Sequence, residues 1–441
     1  MTNIWETNGG VYFGYGCDAT EGVPPRRTRE RQLRYTDDRH IVSVGPNGSG
    51  KSYRLLYHNL MELTAWSMVV IDPKGDLYRD TAKHRAEQGG TIIRLDPFGA
   101  ASEGFNPVAA LDPASDDFPD DALSLAEALI RVEGDDPHWS SSAQEFVAAL
   151  IMYVRLVVPN ASLKDVRALL GQRAENLRSM VLEESIEYDG RTIPGMEAAA
   201  IIHGCDELTS KCSRFADFDA NNKEFAGIVS VALTQTRWLD SKPVKTDLTK
   251  GRFDFSLLKE KPVTVYLVLP ARRLRTHSTW FRLMITSILQ PLMKDTGLSS
   301  VPVLMMLDEF AQLGHMPEIE QNMAMMRGYG IKLWVVLQDA VQAEAIYGKR
   351  WESFVANAGI LQSFAPRDMT TAQYLSKLTG QTTRHPLGGG TGPNAQFSTG
   401  QTGVPLMSPQ DLMNMDEGFS VLFSNLLKGV TRHYLPYPRI S

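Results

Sequence analysis

Ile41-Val42-Ser43-Val44-Gly45-Pro46-Asn47-Gly48-Ser49-Gly50-Lys51-Ser52 is the stretch that decides the fold. A short apolar run enters a Gly-rich turn that fills the pattern G-x-x-x-x-G-K-[ST]. Behind it Leu55, Leu56, Leu60 and Leu63 carry helical spacing. Strand before and helix after is the context in which this pattern cradles phosphate. The glycines let backbone N–H groups point at phosphate oxygens, and the helix start adds a favourable dipole. The expected nucleotide contacts are therefore Gly45, Pro46, Asn47, Gly48, Ser49, Gly50, Lys51 and Ser52. Lys51 reaches the β and γ phosphates, and Ser52 offers a hydroxyl to Mg²⁺. The bland alternative, a Gly-rich turn that matches by chance, is disfavoured by the flanking strand and helix.

Working outward, apolar strand patterns cover 66–71, ending at Asp72-Pro73-Lys74-Gly75-Asp76, and 91–95, ending at Asp96-Pro97. Further strands are expected at 263–269, 303–307 and 331–337, with helices at 280–293 and 319–327. Strands alternating with helices predict an α/β fold with a parallel sheet and helices on both faces. Residues 112–121, acidic and holding two prolines, read as a linker. From 122 to about 222 the pattern is amphipathic helix (123–132, 142–157, 163–170, 175–184) with no convincing strand. The expected organisation is a nucleotide-binding domain begun by 1–113, interrupted by an all-α insertion at 114–224, and completed by 225–441. Residues 380–403, rich in Gly, Thr and Gln, read as a flexible loop.

A chain of 441 residues is too long for one ordinary domain. With 43% hydrophobic and 22% charged residues it excludes disordered and fibrous classes. The formal charge of −6 excludes a wholesale basic coat for nucleic acid but leaves room for a local basic channel. Three cysteines, Cys17, Cys205 and Cys212, make no disulfide framework, and no Cys/His spacing suggests zinc. The longest apolar run, 146–158, is interrupted by Arg155. It falls short of the roughly twenty residues a membrane-spanning helix needs. Residues 1–10 lack the basic-then-apolar order of a signal peptide. The expectation is a cytosolic protein, or the soluble part of something tethered by other means.

The second half should supply acids. Val303-Leu304-Met305-Met306-Leu307-Asp308-Glu309 is a buried strand ending in two carboxylates, the Walker B pattern. Asp308 would hold Mg²⁺ through water, and Glu309 would polarise the attacking water. A strand-end Asp-Glu that caps the next helix is the alternative. Helix 319–327 must run back antiparallel to that strand, so Arg327 lies at the sheet edge away from its own nucleotide. It is either a helix-end cation favoured by the dipole or a group that reaches a neighbour's γ-phosphate across a ring interface. The next strand returns, which places Gln338 at the nucleotide edge, where an amide can sense the γ-phosphate. Asp72 to Asp76 is either a plain turn or a contact to nucleotide or neighbour. Arg26, Arg27, Arg29, Arg31 and Arg34 read as a solvated face, with phosphate contact second. Arg272, Arg273 and Arg275 follow a strand end, and base-independent binding of a DNA strand needs only such cations.

At this point the sequence resembles the type IV coupling proteins, the conjugation ATPases of the TraG and TraD type. Nearly the whole chain carries the resemblance. It includes the phosphate loop, VVIDPKGDLYRDTA (69–82), LDPFG with the FNP that follows, and Asp-Pro-His-Trp at 136–139. It continues through TVYLVLPARRLRTHSTWFRLMI (264–285), LMMLDEFAQLGHMPEIEQ (304–321), VVLQDAVQ (335–342) and TAQYLSKLTGQ (371–381). The resemblance implies a RecA-like core and an all-α domain. It implies ATP with Mg²⁺, and the roles of Walker lysine (Lys51), Walker B pair (Asp308, Glu309), arginine finger (Arg327) and sensing glutamine (Gln338). It also implies a homo-hexamer that links relaxase-bound single-stranded DNA, and protein substrates, to a type IV secretion channel at the cytoplasmic face of the bacterial inner membrane. Most members carry N-terminal membrane helices, whereas this sequence begins about forty residues before its phosphate loop. Membrane contact is therefore expected through partners or a missing anchor. The competing expectation is a receptor platform that sorts protein cargo with weak or no motor activity. An ABC-type ATPase needs an LSGGQ-like signature ahead of Walker B, which the sequence lacks.

Overall fold

The computed structural model describes residues 9–18, 26–132, 137–216, 222–294, 299–384, 402–424 and 430–434. In chain order the strands are β1 (Val11–Asp18), β2 (Arg26–Tyr35), β3 (His40–Val44), β4 (Ser67–Ile71), β5 (Thr91–Leu95), β6 (Ser185–Tyr188) and β7 (Arg191–Pro194). Then follow β8 (Val263–Leu267), β9 (Val303–Leu307), β10 (Ile331–Leu337), β11 (Ala358–Phe364), β12 (Gln381–Arg384), β13 (Thr402–Pro405), β14 (Phe419–Ser424) and β15 (Val430–Tyr434). The chain divides into two compact units, one of residues 1–71, 76–91 and 298–441 and the other of 72–75 and 92–297.

In the first unit nine strands share a sheet in the order β2-β1-β15-β14-β11-β3-β10-β9-β4. The centre, β11-β3-β10-β9-β4, is parallel. Every residue of these five strands is buried. Covered on both faces, such strands read as continuous apolar runs rather than alternation, which is why the sequence pattern exposes them. One flank, β14, β15, β1 and β2, is antiparallel. The parallel sheet expected from the sequence is thus extended into a mixed one. The arginine stretch is part of this flank as β2. Arg34 is buried there and pairs with Glu62 at 2.5 Å, a fixed side chain rather than a solvated one. In the reputed loop 380–403, β12 pairs with β13, while 385–401 lies outside the described residues.

The second unit contains β8 and β5 from Ile92 onward, joined where Val268 N donates to Leu95 O at 2.9 Å. The rest is chiefly helical. Its axis is His138–Val157, in which 146–154 is wholly buried. The apolar run too short for a membrane is a core helix, with Phe146 packed on Phe215 (4.9 Å) and Phe225 (5.4 Å). Arg155 donates to the Leu111 carbonyl at 2.9 Å, which explains its place in that run.

Two expectations here are corrected. Helix Phe118–Leu129 starts inside the supposed linker: Pro119 stands in its first turn, and Asp120 and Asp121 complement the dipole. The helical stretch also contains a hairpin, β6–β7, turned at Asp189 (φ 49°) and Gly190 (φ 70°). An Asp-Gly pair with two positive φ angles makes the type I′ turn whose twist matches paired strands.

Candidate functional site

The carboxyl ends of the central strands build the site. Parallel register sets Val44 beside Leu337 and Val335 beside Leu307, so the residues after β3, β9 and β10 emerge together. Gly45 N donates to Leu337 O at 3.0 Å and ties the loop to the strand that carries Gln338. At Gly45 a Cβ would come within 3.0 Å of both the Phe364 ring and Ser49 Oγ, so close approach selects glycine. Gly48 has open space but φ +82°, so backbone conformation selects it.

Lys51 is buried, and its Nζ donates to the Gly45 carbonyl at 2.6 Å. The cation is held inside the loop that would take phosphate. Ser49 Oγ is buried with no hydrogen-bond partner among the described residues, an orphan that suits a phosphate oxygen. Ser52 Oγ donates to Asp308 Oδ2 at 3.1 Å. Burial, then the neighbouring Glu309 charge, pushes the Asp308 carboxyl above its ordinary range, while Lys51 and Ser52 pull it down. A buried carboxylate facing a hydroxyl is a hard oxygen pair that gains from a divalent cation, so these residues fit Mg²⁺. The helix behind the loop opens as a π-helical turn, Ser52–Tyr57, a form that concentrates at functional sites.

Glu309 adopts the left-handed conformation (φ 53°, ψ 38°). For a residue with a Cβ this costs about 1–2 kcal/mol. Side-chain amides also fix its carboxylate. Gln312 Nε2 donates to Glu309 Oε2 at 3.0 Å, and Gln338 Nε2 donates to the same oxygen. Gln338 Oε1 in turn accepts from Asn47 Nδ2 (3.4 Å) and Gln342 Nε2 (3.2 Å). The phosphate loop and the acid are therefore linked through Gln338. Gln312 and the Asn47 side-chain role are not legible in the sequence, because nothing local marks which amide reaches which carboxylate. The same holds for Tyr53, whose hydroxyl donates to Asp80 at 2.9 Å.

Arg327 is not at this edge. Its Nε pairs with Asp38 Oδ2 at 2.6 Å, two residues ahead of the start of β3. The phosphate loop leaves the other end of that five-residue strand, roughly 16 Å away at about 3.3 Å per residue. Neighbouring groups are mutually satisfied. Lys332 Nζ donates to Asp37 O (2.6 Å) and lies over the rings of Tyr35 and Trp66; burial lowers its pKa to about 8. His40 Nδ1 accepts from Leu333 N (3.0 Å), which leaves Nε2–H to donate to Met323 O (2.6 Å). That imidazole is neutral, and burial holds its pKa low. Asp72 to Gly75 belongs to the second unit and closes a turn, Gly75 N donating to Asp72 O at 3.1 Å.

A phosphate loop on a parallel sheet, with an acid pair and an amide on adjacent strand ends, defines a RecA-like P-loop nucleotide-binding fold. The family described as type IV secretory system conjugative DNA transfer matches residues 14–435, and the chain belongs to it, a type IV coupling protein in sequence and fold. The conjugal transfer protein TraG of Escherichia coli is 26% identical over 86% of this chain and 59% of its own length. The protein VirD4 of Agrobacterium fabrum is 24% identical over 88% of this chain and 57% of its own. The chain thus spans under two thirds of these curated relatives. Among solved structures, plasmid coupling protein TrwB in complex with ADP and Mg²⁺ superposes with TM-score 0.63 at 15% identity, covering 92% of this chain and 86% of that one.

Proposed function

We propose that this chain is the ATP-hydrolysing core of a coupling protein that recruits relaxase-bound single-stranded DNA, with protein substrates, and drives it toward a type IV secretion channel. The observation that carries the reading is the Ser52–Asp308 hydrogen bond inside a loop already holding Lys51. Family membership and the ADP and Mg²⁺ in TrwB support it.

On this reading the loop 45–52 binds the triphosphate, and Lys51 turns from the Gly45 carbonyl to the γ-phosphate. Ser52 and Asp308 hold Mg²⁺, which when bound supplies charge neutralisation on the phosphate oxygens. Glu309 accepts the proton of the attacking water. Gln338, bonded to both Asn47 and Glu309, passes occupancy of the loop to the acid. Arg327, on the far edge, serves a neighbouring subunit's nucleotide in a homo-hexamer. Residues 1–113 and 225–441 form the motor domain, and 114–224 the cargo-facing helical domain. The assembly works at the cytoplasmic face of the bacterial inner membrane. On this reading contact with it runs through partners or a missing anchor; among the described residues no helix is long and apolar enough to cross a membrane.

The test is ATPase rate against protein concentration, with and without single-stranded DNA. A rate per subunit that rises with concentration and again with DNA is expected. A flat, DNA-indifferent rate with tight protein-cargo binding would instead identify a receptor platform.

A further inference from the structure

Three exposed arginines stand close together in the second unit. Arg272, Arg273 and Arg275 occupy the opening turns of the helix Ala271–Lys294, directly after Pro270. Among the described residues none of the three guanidiniums has a carboxylate partner. Several arginines elsewhere in the chain do have acidic partners, such as Arg34–Glu62, Arg79–Asp76 and Arg167–Asp240. Cations at a helix start also face the positive end of the dipole and one another, an unfavourable placement for each. Within a chain of net charge −6, such a cluster is placed against the local rules.

One of the three is pre-shaped. The Arg273 guanidinium lies over the Phe98 ring, 5.2 Å from its centroid. His277 meets the same ring edge-on at 5.1 Å and 90°. His277 itself breaks the helix (φ −130°, ψ 16°), which sets the arginine turn off from the long segment behind it. Its Nε2 is buried without a partner among the described residues. Phe98 thus backs one side of the Arg273 plane, while Arg273 remains exposed.

We propose that Arg272, Arg273, Arg275 and Phe98 form a landing platform for single-stranded nucleic acid, with backbone phosphates on the guanidiniums and one base stacked on Arg273 where Phe98 holds it flat. Phosphates supply the missing counter-charge. Base stacking on aromatic or guanidinium planes is open to a single strand, whereas a duplex hides its base faces. The proposal rests on the reading of the chain as a DNA-moving machine.

The experiment measures fluorescence anisotropy of labelled oligo-dT, of a duplex of equal length, and of heparin against salt, using the full chain. The triple variant R272Q/R273Q/R275Q is expected to bind oligo-dT about 10-fold or more weakly near 0.1 M salt. Its log-affinity against log-salt slope should fall by about 2, the value for three lost phosphate contacts. Phe98→Leu should weaken oligo-dT several-fold with little change of slope or of duplex affinity. Binding of a fluorescent ATP analogue, unchanged in both variants, certifies folding. Wild-type affinity and slope in the triple variant overturn the platform and leave the motor reading intact. A wild-type chain that binds ATP analogue but no DNA overturns the motor reading, and the platform with it. Equal loss for duplex and heparin in Phe98→Leu removes the stacked base and with it the claim to single strands.

Discussion

The two edges of the central sheet are built by the same strands and behave in opposite ways. At the carboxyl ends of β3, β9 and β10, polar groups are held ready. Lys51 sits on a carbonyl of its own loop, Ser49 Oγ has no partner among the described residues, Glu309 adopts a left-handed conformation, and Asp308 is a carboxyl buried against its preference. At the amino ends, comparable groups satisfy each other: Arg327 with Asp38, Lys332 with the Asp37 carbonyl, His40 between Leu333 and Met323. Strain and unmet hydrogen bonding collect where a ligand is to supply the missing partner. Of these groups Arg327 is the most exposed, and its ion pair is with the exposed Asp38. Such surface pairs contribute about 0–1 kcal/mol, so Arg327 can leave at little cost.

The largest expected effect lies on the ready edge. Lys51→Ala should abolish hydrolysis, because the cation that balances γ-phosphate charge is gone. Glu309→Gln should keep binding of an ATP analogue and lose turnover. Near-normal turnover in Glu309→Gln would break the assignment of this edge as catalytic.

Next comes the quiet edge. Arg327→Ala should bind ATP normally and hydrolyse it about 10³-fold more slowly. Mixed with Glu309→Gln, it should recover measurable activity, because some interfaces then pair an intact Glu309 with an intact Arg327. No recovery in rings shown to be mixed counts against action across subunits. Wild-type activity in Arg327→Ala would leave it a helix-end cation.

A smaller effect sharpens the account of the ready edge. Gln312→Ala removes one of two donors to Glu309 Oε2. Turnover should fall about 10-fold with nucleotide affinity unchanged. The loss should fall on kcat with KM unchanged, the mark of a residue that positions the acid rather than binds substrate. A loss of nucleotide affinity or of thermal stability in step with turnover would make Gln312 merely structural.

The last effect concerns stability rather than turnover. Lys332 has a folded pKa near 8, below its ordinary 10.5, because it is buried. The unfolded chain binds the extra proton between these values, so Lys332 makes stability rise as pH climbs from about 8 to 10.5 and contributes no slope below that window. Across it the wild type should gain up to about 3 kcal/mol relative to Lys332→Met in denaturant titrations. Parallel curves for the two would mean that Lys332 keeps its charge when folded.

Much of the ready edge was legible in the sequence because its signals are local. A strand, a glycine turn and a helix lie consecutively in 41–63, and a buried strand ends in Asp308-Glu309. Even the separation of Arg327 from its own phosphate loop followed from chain direction, since a helix returning from one parallel strand must end at the opposite edge. The strand periodicity missed β6–β7 although Asp189-Gly190 marks its turn, because four-residue strands leave too little alternation to count.

What only the tertiary structure decided are pairings between distant residues. β1 meets β15, with Tyr15 beside Tyr434, across nearly the whole chain. Gln312 and Gln338 converge on one oxygen of Glu309, and Asp38 holds Arg327. Propensity and spacing report on a residue's near neighbours along the chain. The choice of a hydrogen-bond or ion-pair partner is made by the packing that brings strand ends together, and no local pattern encodes it.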